Sequence, residues 1–94
     1  MAHELAKYEE RTIKRDDHKV IEKYSGGELV ESHREFYMVY TMDKGGYRIN
    51  DEQYGKLKIL LESPVKFVEI KNDLVAVHQI TKVEKRIERT FGRD

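Results

Sequence analysis

The side chains able to do chemistry are few and scattered along the chain. Four histidines stand at positions 3, 18, 33 and 78, and none is spaced from another His or a carboxylate as in a zinc signature such as H-E-x-x-H. His18 follows Asp16 and Asp17, a local set that could hold a divalent ion but reads more simply as a solvated loop. His33, one residue out of phase with the apolar face of the long strand, is expected to face solvent or a rim, and His78 to end a strand. Asp51 and Glu52 have the composition of an acid–base pair, yet glycoside-type chemistry needs carboxylates facing each other across a cleft, and neighbours on a helix diverge. Ser25 and Ser63 lack the G-x-S-x-G turn of a nucleophilic serine. The chain has no cysteine, so it has no thiol nucleophile, disulfide or Cys-based metal site. The expectation is a protein without catalytic residues, metal or cofactor.

Aromatic side chains offer a different chemistry, that of contact. Tyrosine is a frequent hot-spot residue of protein interfaces, and Tyr37, Tyr40, Tyr47, Tyr54 and Phe91 are the candidates for such a role. Interleaved with basic residues, the same rings could stack on single-stranded nucleic acid; the candidates for that alternative are Arg34, Arg48, Lys56, Lys82, Lys85, Arg86 and Arg89. The tyrosines could also simply fill a small core with their hydroxyls at its edge. Charge separates these readings. The 94 residues carry 18 Lys plus Arg against 18 Asp plus Glu, a formal net charge of zero. A general polyanion binder shows a basic excess, because phosphate neutralisation supplies most non-specific affinity. Only residues 82–94 lean basic.

The elements that would position these residues follow from pattern. Gly26-Gly27 and Gly45-Gly46 each sit beside a polar turn former and between apolar stretches, which predicts hairpin connections. Residues 29–42 read as the strongest strand: Phe36, Met38, Tyr40 and Met42 share one face, Tyr37 and Val39 the other. Shorter strands are predicted over 19–24 and 47–49. Asn50 is placed as an N-cap, with Asp51 and Glu52 in the first turn and Gln53 at the capping-box position. Tyr54, Leu57, Leu60 and Leu61 then recur at helical spacing until Ser63-Pro64. Residues 65–71 and 74–78 read as strands joined at Asn72-Asp73. Ile80, Val83, Ile87 and Phe91, spaced three, four and four apart, predict a C-terminal helix, and Leu5, Tyr8 and Thr12 a thin N-terminal one over 2–15.

The stretch from 47 to 85, a short strand, a helix, then "KFVEI", a two-residue turn, an apolar strand and "HQITKVE", resembles small uncharacterised proteins of prophages and mobile elements in Gram-positive bacteria. It is more distantly similar to the LytTR-type DNA-binding domain, with Ile80 and Val83 at that family's last apolar positions. This second resemblance implies a nucleic-acid-binding regulator. The chain departs from the family pattern at Asn72-Asp73, where a negative charge stands in place of a polar pair, and at Ala76-Val77, where an Asn is expected.

The expected fold is therefore a single α+β domain over 1–94, with 1–15 and 86–94 prone to fray. An antiparallel sheet of about five strands packs on one central helix, with helical segments at both termini. The expected role is a small non-enzymatic binding protein of phage or mobile-element type that contacts a host or phage protein; the alternatives are a nucleic-acid binder and a nucleotide or small-ligand sequestering protein. A homodimer through a sheet edge or through the apolar stripe of the C-terminal helix is also anticipated. No apolar run approaches the ~20 residues that span a bilayer, and the polar first residues do not form the core of a signal peptide, so a cytoplasmic location is expected.

Overall fold

One long strand organises the molecule. In the computed structural model, which describes residues 8–91, strands β1 (Tyr8–Lys14), β2 (Lys19–Ser25), β3 (Glu28–Thr41) and β4 (Gly45–Ile49) succeed one another as antiparallel neighbours. Helix α1 (Asp51–Leu61) follows, then the hairpin of β5 (Phe67–Ile70) and β6 (Asp73–Ala76). A 3-10 turn at Val77–Gln79 leads into β7 (Ile80–Phe91), which returns to pair with β3. β3 spans 14 residues and serves three partners. β7 occupies one of its edges over residues 31–41, so β2 (against 28–35) and β4 (against 37–41) share the other edge end to end.

Local chemistry explains the joints. Gly26 and Gly27 both adopt positive φ, 60° and 85°, as a two-residue hairpin between right-twisted strands requires. Lys71 and Asn72 do the same at the β5–β6 tip without glycine. At α1, the Asn50 side chain accepts a hydrogen bond from the Gln53 backbone N–H while the Gln53 side chain accepts one from the Asn50 N–H, a complete capping box.

Burial concentrates at one end of β3. Val39, Ile49, Leu57, Val68, Ile70 and Val75 form the core, with Tyr37, Tyr47, Tyr54, Leu61, Val77, Ile80 and Val83 packed against it. α1 and the β5–β6 hairpin cover this end, here termed the head. The other end is an arm formed by β1, β2, residues 28–35 of β3 and the distal half of β7. No described side chain of β1, β2, β7 or residues 28–35 is fully buried. The radius of gyration is 17.4 Å, against roughly 12 Å for a compact chain of this length. The extents of 56 × 27 × 19 Å match an arm one layer thick.

Two expectations are corrected. The chain is mostly β rather than α+β with helical ends: residues 8–14 and 80–91 are strands, and residues 2–7 of the expected N-terminal helix lie outside the described residues. The five strands anticipated from pattern do not make one sheet, since β5 and β6 form a separate two-stranded sheet while β1 and β7 complete the five-stranded one. The physical reason at both ends is the same. Ladder hydrogen bonds to β2 and β3 supply what weak local propensity does not, and tertiary pairing overrides a thin helical stripe.

Candidate functional site

Residues directly opposite in an antiparallel ladder share a face, so the register sorts every candidate. Tyr37, Val39, Tyr47, Ile49, Val83, Lys85, Ile87 and Arg89 lie on the face covered at the head by α1. Phe36, Met38, Tyr40, Arg48, Lys82, Glu84, Arg86 and Glu88 lie on the opposite, open face.

The open face is roofed by its own long side chains. The Arg48 guanidinium lies 4.2 Å from the centroid of Phe36, which is only 3% exposed beneath it. The Tyr40 hydroxyl donates to Glu84 Oε1 at 3.2 Å and accepts from Arg86 Nη1 at 3.1 Å, while Lys82 Nζ sits 5.4 Å from the ring centroid. Arg34 pairs with Glu88 across the strands at 3.7 Å. Along β7 this face therefore reads cation, carboxylate, cation, carboxylate: Lys82, Glu84, Arg86, Glu88.

On the helix face, Glu35 is the hub between head and arm. It lies 2.9 Å from His33 Nε2, 3.8 Å from Lys19 Nζ and 3.9 Å from Lys85 Nζ. Lys19 Nζ also donates to Asp51 Oδ2 at 3.0 Å. That hydrogen bond holds the Asp51 carboxyl below its ordinary range and raises the Lys19 ammonium above its own. His33 is thus half-buried in the hub rather than at a solvent rim, and its Nδ1 finds no partner among the described residues. At the β1–β2 turn, Asp17 is likewise depressed, chiefly by its 2.7 Å bond to His18 Nδ1.

The β5–β6 hairpin carries Leu74, the most exposed large apolar side chain among the described residues, together with Phe67. Val68, Ile70 and Val75 turn inward to the core, which forces Phe67 and Leu74 outward, 56% and 75% exposed. Tyr47 reaches this surface from β4, its hydroxyl donating to Asp73 Oδ2 at 2.9 Å, with Lys44 Nζ 3.5 Å from the same carboxylate. Desolvation first, and then the bond to Asp73, raise the Tyr47 hydroxyl above its usual range. A shallow depression of about 410 Å³ runs between Tyr47, Phe67, Asp73, Leu74 and Gln79. A second groove, of about 280 Å³, separates α1 from β5 and is lined by Ile49, Leu57, Leu60 and Ile70 with Lys56, Glu69 and Lys71.

The aromatic candidates are dispersed. Tyr37 and Tyr54 stack on each other, centroids 3.9 Å apart and planes within 3°, and brace α1 on the sheet. Tyr40 belongs to the open face, and Tyr47 borders the hairpin surface. Phe91 pairs with Glu31 at the tip of the arm. Among the basic candidates, Arg34, Arg48, Lys82 and Arg86 share the open face, while Lys85 and Arg89 lie on the helix face and Lys56 on α1. Sequence reasoning does not single out Phe67 and Leu74: alternation separates them from Val68, Ile70 and Val75, but only the packing of the hairpin shows which set turns outward. No group of three or more His, Cys, Asp or Glu among the described residues has metal-site geometry. No family model, curated protein or solved structure matches this chain. Among the described residues no helix is long and apolar enough to cross a membrane.

Proposed function

We propose that this chain is a small non-enzymatic binding protein of phage or mobile-element type that acts in the cytoplasm by docking on another protein. The observation that carries the reading is the outward turn of Phe67 and Leu74 beside Tyr47 on a two-stranded hairpin whose other face is committed to the core. Exposed apolar side chains grouped on one hairpin, with a tyrosine and an Asp–Lys pair at the rim, have the composition of a contact surface. The resemblance of residues 47–85 to small prophage proteins accords with it. The test is affinity capture from an extract of the source cells with wild type and Leu74→Asp side by side. A partner recovered by wild type and lost on the variant is the expected result; empty capture under gentle salt, or equal recovery by both, overturns the proposal.

The nucleic-acid reading has one observation in its favour, the grouping of Arg34, Arg48, Lys82 and Arg86 with Tyr40 on the open face. Glu84 and Glu88 stand among these cations at ion-pair distance, which reduces the field a phosphate would meet. A gel shift that weakens steeply between low and moderate salt would favour this reading over protein contact.

A further inference from the structure

β7 is a 12-residue strand, and no strand among the described residues pairs with its outer edge. Long open edges are hazards that proteins guard, often with lysines or bulges. The only irregularity in the β3–β7 register lies between Tyr40 and Thr41, opposite Lys82 and Ile80, so residues 82–91 run as a regular strand. The charges on that segment are mixed rather than uniformly repulsive, and their order decides what the edge fits.

We infer that the partner for this edge is a second copy of the same chain, paired antiparallel through β7 about a two-fold axis at Lys85. The inference rests on the protein-contact reading and deepens it. A two-fold axis normal to a sheet makes one residue face its own copy, so only registers centred on a single residue are allowed. Centred on Lys85, Lys82 faces Glu88 of the second copy and Glu84 faces Arg86, each pair occurring twice, and Val83 faces Ile87. The one like-charged pair, Lys85 with its copy, falls where each Lys85 is already drawn 3.9 Å from Glu35. Centring on Glu84 or Arg86 sets like charges opposite each other, and centring on Ile87 matches Arg86 with Glu88 but opposes Lys85 to Arg89; centring on Val83 matches Lys82 with Glu84 alone and runs the ladder through the irregularity between residues 80 and 82. The open-face order of Lys82, Glu84, Arg86 and Glu88 is thus complementary to its own reverse.

The consequences fit the shape of the molecule. The ladder from 82 to 88 adds about six to eight backbone hydrogen bonds and joins two five-stranded sheets into one. The arm of each copy lies alongside the head of the other, and Ile87, 53% exposed, meets the Val83 that borders the partner's core.

The absence of native cysteines makes the register directly testable by placing single cysteines from 82 to 89. Oxidation should cross-link Lys85→Cys best, because only residue 85 faces itself at the ~4.5–5.5 Å Cβ separation of opposed residues. Sedimentation should find wild type dimeric. Glu84→Arg, which sets a cation opposite Arg86 of the second copy on both sides of the axis, should raise the dissociation constant about tenfold or more. Combining Glu84→Arg with Arg86→Glu should restore it. Circular dichroism of each variant separates lost pairing from lost folding, and wild type with the Cys scan needs no charge variant at all. A monomer at all concentrations, a cross-linking maximum elsewhere, or a double variant as weak as the single one overturns the proposal. A monomer that still captures a partner through Leu74 would overturn self-pairing alone and leave the protein-contact reading intact.

Discussion

Asn50 ties together three parts of the molecule, and its removal gives a calculable result. Its side-chain oxygen accepts from the Gln53 N–H at 2.8 Å, and its amide nitrogen donates to the Arg15 and Asp16 carbonyls at 3.0 and 3.3 Å. The first bond caps α1; the other two hold the β1–β2 turn against the helix. Asn50→Ala loses all three, at a cost of about 1 kcal/mol for the cap and roughly 0.5–1 kcal/mol for two solvent-exposed bonds to the turn. Asn50→Ser keeps an oxygen able to cap but is too short to reach residues 15 and 16, so it should lose only the second part. For a domain of this size, about 4–8 °C of Tm per kcal/mol follows, which places Asn50→Ala roughly 6–16 °C below wild type and Asn50→Ser about 2–8 °C below. Thermal and urea unfolding followed by circular dichroism measure both. Amide exchange should further show that Asn50→Ser weakens protection in β1 and β2 more than in α1. Equal losses in the two variants would show that capping is not what Asn50 supplies, and an Asn50→Ala variant within about 0.5 kcal/mol of wild type would refute the reasoning altogether.

Val39, with 0% exposure at the centre of the core, should cost about 2–3 kcal/mol on truncation to Ala, read as a shift in the urea midpoint without a change in slope. The Asp51 carboxyl is depressed and the Lys19 ammonium raised by their mutual bond. Its stabilisation is therefore present above the ordinary Asp value near roughly 3.9 and is lost as pH falls through the depressed folded value. At the alkaline end it is present below the ordinary Lys value near roughly 10.4 and is lost as pH rises through the raised folded value. Asp51→Asn should flatten both limbs of a stability–pH curve, and a curve parallel to wild type at both ends would refute the pairing. Gly45 has a φ of +89°, whereas a Cβ on Gly46 would press on the flexible end of Met38 at 2.9 Å and meet the Tyr40 ring and the Val39 carbonyl at 3.4 and 3.5 Å. Gly45→Ala should then cost about 1–2 kcal/mol and Gly46→Ala less, an order that thermal unfolding would check.

How much of this was legible in the sequence depends on whether a segment's neighbours are local. The Asn50 cap, its capping box and the 11-residue helix are local features, and the residue pattern carried them. The β7 segment shows the opposite case. Val83, Ile87 and Phe91 recur every four residues, and four is a multiple of the strand period of two as well as close to the helical 3.6. The spacing that suggested a helix was equally that of one strand face, and only the ladder with residues 31–41, distant in sequence, decides between them. The β1 segment has the same ambiguity with a weaker stripe. The contact candidates are dispersed over the molecule for a related reason. Aromatic type singled out Tyr37 and Tyr54, whose rings prove to be each other's partner, while the exposed Phe67 and Leu74 follow only from which face of a four-residue strand turns to the core.

The charge balance gains its meaning from the same topology. In a chain with so few buried side chains, the arm has no second layer to hold it. Its cohesion comes from ladder hydrogen bonds and cross-strand pairs such as Arg34 with Glu88 and Arg89 with Glu31, each worth only a fraction of a kcal/mol. Such an arm persists because β3 passes through it into the head without a break, and because Asn50, and Lys19 through Asp51, fasten its near end to the helix. A basic surface would have weakened this arrangement by self-repulsion, and an apolar one would have invited indiscriminate pairing of its edges. Interleaved charges avoid both, and along β7 the open-face order of Lys82, Glu84, Arg86 and Glu88 is complementary to its own reverse.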